Sequence, residues 1–376
     1  MKVTNLNDAS DRILRRCKGL PLVIQATCTL LRNNNQLGGA GVADAVQLTD
    51  LSGRLEEEVL SNGHVVYPNG RKITLRTDLL VDVSACLFYL SIFPIDRPIR
   101  CNTMMRLWMA EGFIKEEEKP EVILRKLLEH NVIQEKKTSY GRAKTGRVHN
   151  LLHQIIISRS KDQEIGIIVT NSRNRVHANV RYLSFHRDMD NRDHGTSVKQ
   201  LRSLHVFKTV HPLSLKKLLE NAERLKVLHI QKHPTREEKK EPPASLYAFP
   251  RKILQSKYLR YLSLRGTNIA DIPSDIGNLI YLETLDLRGT LVRKLRKGIL
   301  KLTALRHLLV SRSNKCWAAH TDLRPATDVD LMLGVKAPSK LGELTSLQKL
   351  CMIELKPLKR WGSQSKRKQL LEELGN

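Results

Sequence analysis

A short leucine-rich pattern that returns along the second half of the chain constrains its fold most strongly. Allowing other aliphatic residues, L-x-x-L-x-L occurs in segments that start at Val180, Leu201, Leu225, Leu259, Leu282, Leu305 and Leu347. Most starts are 21 to 24 residues apart, and intervals of 34 and 42 residues indicate insertions. A fixed period of this length predicts stacked repeats, each of which buries its leucines only against its neighbours.

A second pattern repeats in the same register, as IGNLIYLETL, ILKLTALRHL and LGELTSLQKL. Two independent patterns at one spacing predict a leucine-rich-repeat solenoid over residues 175–376. The long intervals contain HPTREEKKEPPAS and RSNKCWAAHTDLRPATDVD, whose polar composition is typical of loops.

In each repeat the leucines are predicted to point inward, while alternate residues face outward from the concave side of a sheet. We therefore expect an outward-facing set that mixes charged, hydroxyl and apolar groups, as protein-binding surfaces do. The set consists of Tyr261, Ser263, Arg265, Thr284, Asp286, Arg288, His307, Leu309, Ser311, Lys349 and Cys351. The alternative interpretation is that most of these residues are ordinary solvated positions.

Residues 82–170 have the element order of a winged-helix domain. An apolar helix is predicted to end near Phe93-Pro94, because proline disfavours helix in the residue before it. A second helix is predicted to be capped by Asn102 or Thr103 and to stop at Gly112. A third helix, EVILRKLLE, then precedes a strand from Val132, a polar loop, and a returning strand over residues 147–149.

The N-terminal part is less regular. Residues 1–35 predict two short helices separated at KGLP, where glycine can end the first helix and proline begin the second. Residues 36–81 contain Asn-Gly pairs and little periodicity, which predicts a linker or a divergent insertion.

Charge and cysteine usage narrow the class of protein. The chain has 64 Lys plus Arg against 38 Asp plus Glu, a net charge of +26. Such an excess favours nucleic acid, an anionic membrane or an acidic partner, or indicates that an acidic portion of a longer protein is missing. The six cysteines form no C-x-x-C pair, the N-terminus does not resemble a secretory signal, and no apolar run could span a bilayer. We expect a soluble protein of the cytoplasm, with the nucleus or a membrane surface as alternatives.

Several segments together resemble a known family. GLPL, CLFYLSIFP, RLWMAEGFI, RVHNLL and VRYLSF occur in the order found in plant nucleotide-binding leucine-rich-repeat disease-resistance proteins of the coiled-coil type. The resemblance implies a mixed α/β fold, in which a helical remnant and the winged-helix module of the NB-ARC region precede the repeats. It also implies a role in defence, with ADP or ATP as cofactor. The implied partners are proteins: a pathogen effector, a guarded host protein or another immune receptor.

The same resemblance assigns a nucleotide role to two residues. Pro21 of GLPL would lie against the adenosine, and His149 would reach the ADP phosphate from the winged helix. No G-x-x-x-x-G-K-[ST] phosphate loop occurs in the sequence, so we expect an N-terminally truncated receptor with an impaired switch and no enzymatic activity. The adjoining Asn150, where the family usually has Asp, can still cap a helix.

Other functions have weaker support. His149 and His153 have the i, i+4 spacing of zinc ligands on a helix, but no third ligand is obvious. A winged helix can also bind DNA, and the net charge would favour phosphate contacts. The segment CNTMMRLWMAEGF, however, is apolar where a base-reading helix needs polar side chains, which disfavours nucleic acid. A plain leucine-rich-repeat scaffold is the remaining alternative.

Overall fold

The computed structural model describes residues 64–66, 72–74, 84–94, 98–114, 119–129, 132–136, 145–148, 153, 156, 166–170, 176, 178–188, 198–209, 211–231, 248–313 and 332–354. The chain divides into two compact units, Met1–Glu164 and Ile165–Asn376. The predicted helices of residues 1–35 lie outside the described residues. Within the predicted linker, strands β1 (His64–Val66) and β2 (Lys72–Thr74) pair antiparallel.

Two helices of the first unit end where the sequence predicts. Helix α1 (Ser84–Tyr89) continues as a 3₁₀ turn over Leu90–Ile92 and gives way to extended backbone at Phe93, directly before Pro94. Helix α2 (Cys101–Glu111) ends at Gly112, whose φ of 81° is the left-handed conformation that glycine adopts without steric cost.

The predicted start of α2 is wrong. Arg100 is the N-cap and makes no side-chain capping hydrogen bond, so Asn102 and Thr103 lie inside the first helical turn. The reason is that residues Ile99–Arg100 form a short strand, β3, which leads directly into the helix. The position of the strand, rather than the nearest capping side chain, fixes where the helix begins.

The wing is a small antiparallel sheet. Helix α3 (Pro120–Glu129) precedes β4 (Ile133–Lys136), which pairs with β5 (Thr145–Val148), and β3 adds a third strand on the other side of β5. The sequence predicts only β4 and β5 of these three strands. A Cβ on Gly146 would lie 2.4 Å from the Ile133 side chain, so a larger residue in β5 would force Ile133 of β4 to move.

The second unit is built on a parallel sheet. Its strands are β6 (Gly166–Val169), β7 (Tyr182–Phe185), β8 (Ser203–Val206), β9 (Val227–Gln231), β10 (Tyr261–Arg265), β11 (Thr284–Thr290), β12 (His307–Ser313) and β15 (Lys349–Cys351). Each pairs in parallel with the next, and every predicted repeat segment supplies one strand. Strand β6 was not predicted, and it places Gly166–Val169 in the repeat sheet rather than in the winged-helix domain.

Shorter elements complete the second unit. Helix α4 (Pro212–Asn221) lies between β8 and β9, and later repeats have 3₁₀ turns at Arg251–Gln255, Ser274–Asn278, Lys297–Lys301 and Leu341–Glu343. Strand β13 (Met332–Leu333) is antiparallel to β12, whereas β14 (Val335–Lys336) and β16 (Ile353–Glu354) pair in parallel. The repeat leucines form one continuous buried core. No helix among the residues described above is long and apolar enough to cross a membrane.

Strands β10 and β11 share the sequence Arg-Gly-Thr at their ends. Gly266 and Gly289 both have a φ of 71°, a left-handed conformation in which a Cβ would be strained. The following threonines donate their hydroxyls to the carbonyl three residues earlier, at 2.7 Å for Thr267 and 2.8 Å for Thr290. The repeated tripeptide has the same local hydrogen bond in both repeats, but it follows the end of β10, whereas in β11 it forms an irregularity before the strand ends at Thr290.

Two glycines allow neighbouring 3₁₀ turns to approach each other closely. A Cβ on Gly298 would lie 1.8 Å from the Ser274 carbonyl oxygen, and one on Gly277 would lie 2.7 Å from the Gly298 carbonyl oxygen. Both obstacles are backbone atoms, which cannot rotate away as a flexible side chain can. Both positions therefore need glycine for the turns of the two adjacent repeats to pack this closely.

We expect Gly298→Ala to destabilise the repeat unit by about 1–3 kcal/mol, the usual cost of overpacking a well-packed interior. Urea unfolding of the full chain measures this loss. The exposed Lys297 on the same turn provides the control, since its replacement by alanine should change stability little. Equal stability of the two variants would show that the turns can separate without cost.

Candidate protein-binding face

Alternate residues of the parallel strands form rows that run from repeat to repeat. The strand register aligns Tyr261 with Thr284 and Thr284 with His307, and the next row contains Ser263, Asp286 and Leu309. The Thr284 hydroxyl lies 3.2 Å from Nδ1 of His307, so adjacent members of the first row are in contact. The predicted outward-facing residues of β10, β11 and β12 therefore occupy one side of the sheet.

The same side of the sheet carries a set of aromatic rings that the sequence analysis missed. His205 and His229 are aligned on β8 and β9, with their Nδ1 atoms 3.2 Å apart. Phe207 stacks on His205, and Tyr261 contacts the edge of His229 with ring centroids 5.9 Å apart. The outward positions of the LRSLHV and LKVLHI segments, read in the same way as those of later repeats, would have identified both histidines.

Asp286 and Arg288 form an ion pair at the centre of this face. The Asp286 carboxylate accepts hydrogen bonds from Nε of Arg288 at 2.9 Å and from the backbone N–H of Arg288 at 3.1 Å. Burial alone would raise the pKa of Asp286, but the hydrogen bonds and charge of Arg288, with the charge of Arg265, lower it below its usual value. Asp286 is thus held as a carboxylate.

Most of the predicted outward-facing residues are less accessible than expected. Of the eleven, six are buried, four are half-buried and Lys349 is exposed; the buried six are Tyr261, Ser263, Thr284, Asp286, Leu309 and Ser311, and the half-buried four are Arg265, Arg288, His307 and Cys351. Parallel strands lie only about 4.8 Å apart, so aligned side chains cover one another. The assumption that alternate residues are solvated is wrong here, whereas their role in binding stays a prediction.

The accessible part of this face is basic. Arg265, Arg288 and His307 are half-buried, and Lys349 on β15 is exposed. We call these four residues the basic row group. Arg288 already pairs with Asp286, and Lys349 is the most exposed of the four side chains. Chemically, this end of the face suits carboxylate groups better than apolar or cationic ones.

His205 makes the repeat unit sensitive to acid. Burial, followed by the charges of His229 and His186, lowers the pKa of His205 well below its usual value, so the folded protein holds it neutral. In the unfolded chain this histidine takes up a proton at about pH 6.5. Its contribution to stability is therefore complete above that pH and is lost as the pH falls further.

We expect His205→Asn to reduce the loss of stability on acidification. Between pH 6.5 and 5, the wild type should lose up to about 1.4 kcal/mol per pH unit more than this variant, the value for one proton. Urea unfolding of both full-length chains at pH 7.5 and 5.5 measures the difference. The same acid sensitivity in both chains would contradict a buried neutral His205.

The predicted nucleotide residues are not placed by the structure, since Pro21 and His149 lie outside the described residues. His153, four residues further on, is buried and helical. Its Nε2–H donates to the Phe93 carbonyl at 2.8 Å, and burial lowers its pKa despite this hydrogen bond. Among the described residues, no three His, Cys, Asp or Glu side chains come close enough to hold a metal ion.

The helices of the winged-helix unit lack the surface that reads DNA. Most of α2 is buried, including Arg106, and of its side chains only Asn102 is exposed. Helix α3 exposes Glu121, Val122, Arg125 and Glu129, a set with more acidic than basic groups. Phosphate contacts require a positive surface and base contacts require polar donors, so the described helices offer neither.

Comparison with known proteins gives matches over both units. A family model described as "Disease resistance protein Winged helix domain" matches residues 92–156, and one described as "Leucine-rich repeat region" matches residues 199–376. A leucine-rich-repeat protein of Leptospira interrogans superposes with a TM-score of 0.32 and 18% identity, covering 48% of this chain and 40% of that one.

The curated relatives are plant proteins. Disease resistance protein Pik-2 of Oryza sativa subsp. japonica is 33% identical over 253 residues, which are 63% of this chain and 23% of Pik-2. Disease resistance protein RGA4 of the same plant is 29% identical over 80% of this chain and 29% of its own length. The ToMV susceptible protein tm-2 of Solanum lycopersicum is 27% identical over 81% of this chain and 35% of its own length.

The winged-helix unit and the parallel repeat sheet together define a protein that combines a disease-resistance winged-helix domain with leucine-rich repeats. The alignments with RGA4 and tm-2 cover 80% and 81% of this chain and therefore extend over both units. Over both units, the chain is thus similar to plant disease-resistance proteins that carry leucine-rich repeats. It spans about a quarter of the length of Pik-2.

Proposed function

We propose that this chain acts in plant defence by binding another protein through the concave face of its repeat sheet. The observation that carries the proposal is the continuous parallel sheet, on which aligned rows end in the basic row group. Its relatives are disease-resistance proteins, which supports the defence role. The partner would be a pathogen effector, a guarded host protein or another immune receptor, met in the cytoplasm.

The partner should present carboxylate groups to this face. Lys349 is exposed and Arg265 is half-buried, while the only acidic side chain of the described rows, Asp286, pairs with Arg288. Like charges placed opposite each other across an interface cost several kcal/mol, which would disfavour cationic partners. Binding is the proposed activity, and no catalytic step is assigned to these residues.

A pair of double variants tests the proposal in leaf tissue. Arg265→Ala with Lys349→Ala removes two positive charges from the face, and Lys297→Ala with Lys301→Ala removes two exposed charges from a 3₁₀ turn. The first variant should lose co-purification of the partner and alter pathogen growth, and the second should behave like the wild type. Identical behaviour of both variants would refute binding through the concave face.

We further propose that the 376-residue chain by itself does not hold ADP or ATP tightly. Its sequence contains no phosphate-binding loop, whose backbone N–H groups and lysine supply most of the contacts to the phosphates. Titration of the purified chain with a fluorescent ADP analogue should give no saturable signal at micromolar concentrations. Saturable binding that is lost in His149→Ala would instead indicate a working nucleotide switch.

A further inference from the structure

Three apolar side chains are exposed on the turns that precede β10 and β11 of the repeat unit. Tyr258 is 56% exposed, Ile280 is 53% exposed and Tyr281 is 52% exposed. We call these three residues the tyrosine edge. The neighbouring Leu259 and Leu282 are buried and supply the core contacts of these turns, so the exposed residues are not needed to fill the interior.

The strand register brings the tyrosine edge together. Tyr258 and Tyr281 each stand three residues before an aligned strand position, because Tyr261 of β10 is the register partner of Thr284 of β11. The ladder extends toward the turns, where the N–H groups of Glu283 and Thr284 donate to the Arg260 carbonyl at 2.8 and 3.0 Å. The two tyrosines thus occupy the same position in neighbouring repeats, which stack about 5 Å apart.

Other repeats do not have an aromatic residue at this position. The equivalent residues are Asn179, Gln200, Arg224, Ala304 and Ser346, so the aromatic surface is confined to two adjacent repeats. Single exposed apolar residues are common on protein surfaces, but a contiguous group that includes two aromatic side chains is typical of a binding site. Tyrosine is also among the residues that contribute most to binding energy in interfaces.

The charges around the tyrosine edge are mainly basic. Glu283 is paired with Arg260 at 3.3 Å, whereas no described residue forms an ion pair with Arg224, Lys257 or Arg306. Glu223 is the other acidic group nearby, so basic side chains outnumber acidic ones four to two in this rim. A second copy of this chain, with its net charge of +26, would meet the rim with like charge.

We propose that the tyrosine edge is a second protein-binding surface, and that its partner presents an apolar group flanked by carboxylates. The apolar group would bury the tyrosine rings, while the carboxylates would pair with Arg224, Lys257 and Arg306. A membrane surface fits less well, because the patch lies on short turns rather than on an amphipathic helix that could lie in the headgroup region. This surface is separate from the basic row group and does not depend on the proposed function.

Selection of a displayed library of random 12-residue peptides on the full chain tests this proposal. We expect the enriched peptides to combine an aromatic or aliphatic residue with neighbouring Asp or Glu. Their affinity should fall at least tenfold for Tyr258→Ser with Tyr281→Ser, and it should also fall for Lys257→Glu. Because the altered residues are exposed, these variants should unfold at the temperature of the wild type.

Two controls separate the tyrosine edge from other surfaces. Ser346→Ala alters the equivalent exposed position of another repeat, and Arg265→Ala with Lys349→Ala alters the concave face; neither should reduce binding of the selected peptides. Peptides without acidic enrichment, or peptides that bind the tyrosine variant as tightly as the wild type, would overturn the proposal. Binding to vesicles of anionic phospholipid that requires the same tyrosines, with no peptide selected, would assign the edge to membranes instead.

Discussion

Asp286→Ala is expected to lower the stability of the repeat unit by about 3–5 kcal/mol, the cost of leaving one member of a buried ion pair without its partner. Arg288 is only 17% exposed in its side chain and uses Nε as well as a terminal nitrogen to bind Asp286. Removing the carboxylate therefore leaves a largely desolvated guanidinium, and it also removes the acceptor of the Arg288 backbone N–H. Hydrogen exchange of peptides from β10 to β12 in the full chain measures the loss.

An exposed pair of the same chemistry is the control. Arg296 donates to Asp271 with side chains that are 53% and 55% exposed, so Asp271→Ala should leave exchange close to that of the wild type. Since the folded pKa of Asp286 is lowered, its contribution is present above about pH 4 and is lost as the pH falls through the folded pKa. Equal effects of the two substitutions would mean that water reaches Arg288.

Trp108→Ala should destabilise the winged-helix unit by about 3–5 kcal/mol, the range for removing a large aromatic side chain from a core. Trp108 on α2 is fully buried, as are Leu107 beside it and Leu127 on α3. Its indole N–H has no hydrogen-bond partner among the described residues, so the loss is one of packing. Exchange of α2 and α3 peptides in the full chain should rise, while exchange of β10 to β12 stays unchanged.

Two further variants test this explanation. Trp108→Phe keeps an aromatic ring and gives up no hydrogen bond, so it should cost clearly less than alanine. Asn102→Ala on the same helix should cost little, because Asn102 is exposed and does not cap α2. A large loss in Asn102→Ala, or none in Trp108→Ala, would contradict the packing seen around this helix.

Local chemistry accounts for the elements that sequence reasoning predicted well. The spacing of the repeat leucines predicts strands because it places them in one common core. Gly112 ends α2 because it adopts a left-handed conformation. The end of α1 before Pro94 has an equally local cause. Each of these predictions depends on residue types and spacings within a short stretch of sequence.

The features that sequence reasoning missed depend on distant partners. Strand β3 is two residues long and exists because Ile99 and Arg100 pair with β5, and β6 exists because it pairs with β7. Burial of the concave face is also non-local, since it comes from contacts such as those between His205 and His229 on adjacent strands. The alternation of side chains predicts which way a residue points, but its neighbours decide how much of it water can reach.

The pairing of β9 with β10 and of β12 with β15 shows that the strand register is kept even where the interval between two repeats is long. His307 aligns with Lys349 across an interval of 42 residues just as Thr284 aligns with His307 across 23. Doubling the length of a flexible loop adds only about 0.6 kcal/mol to its closure entropy. Insertions and deletions in these two intervals can therefore accumulate during evolution at little thermodynamic cost, while substitutions on the strands alter the proposed binding face one position at a time.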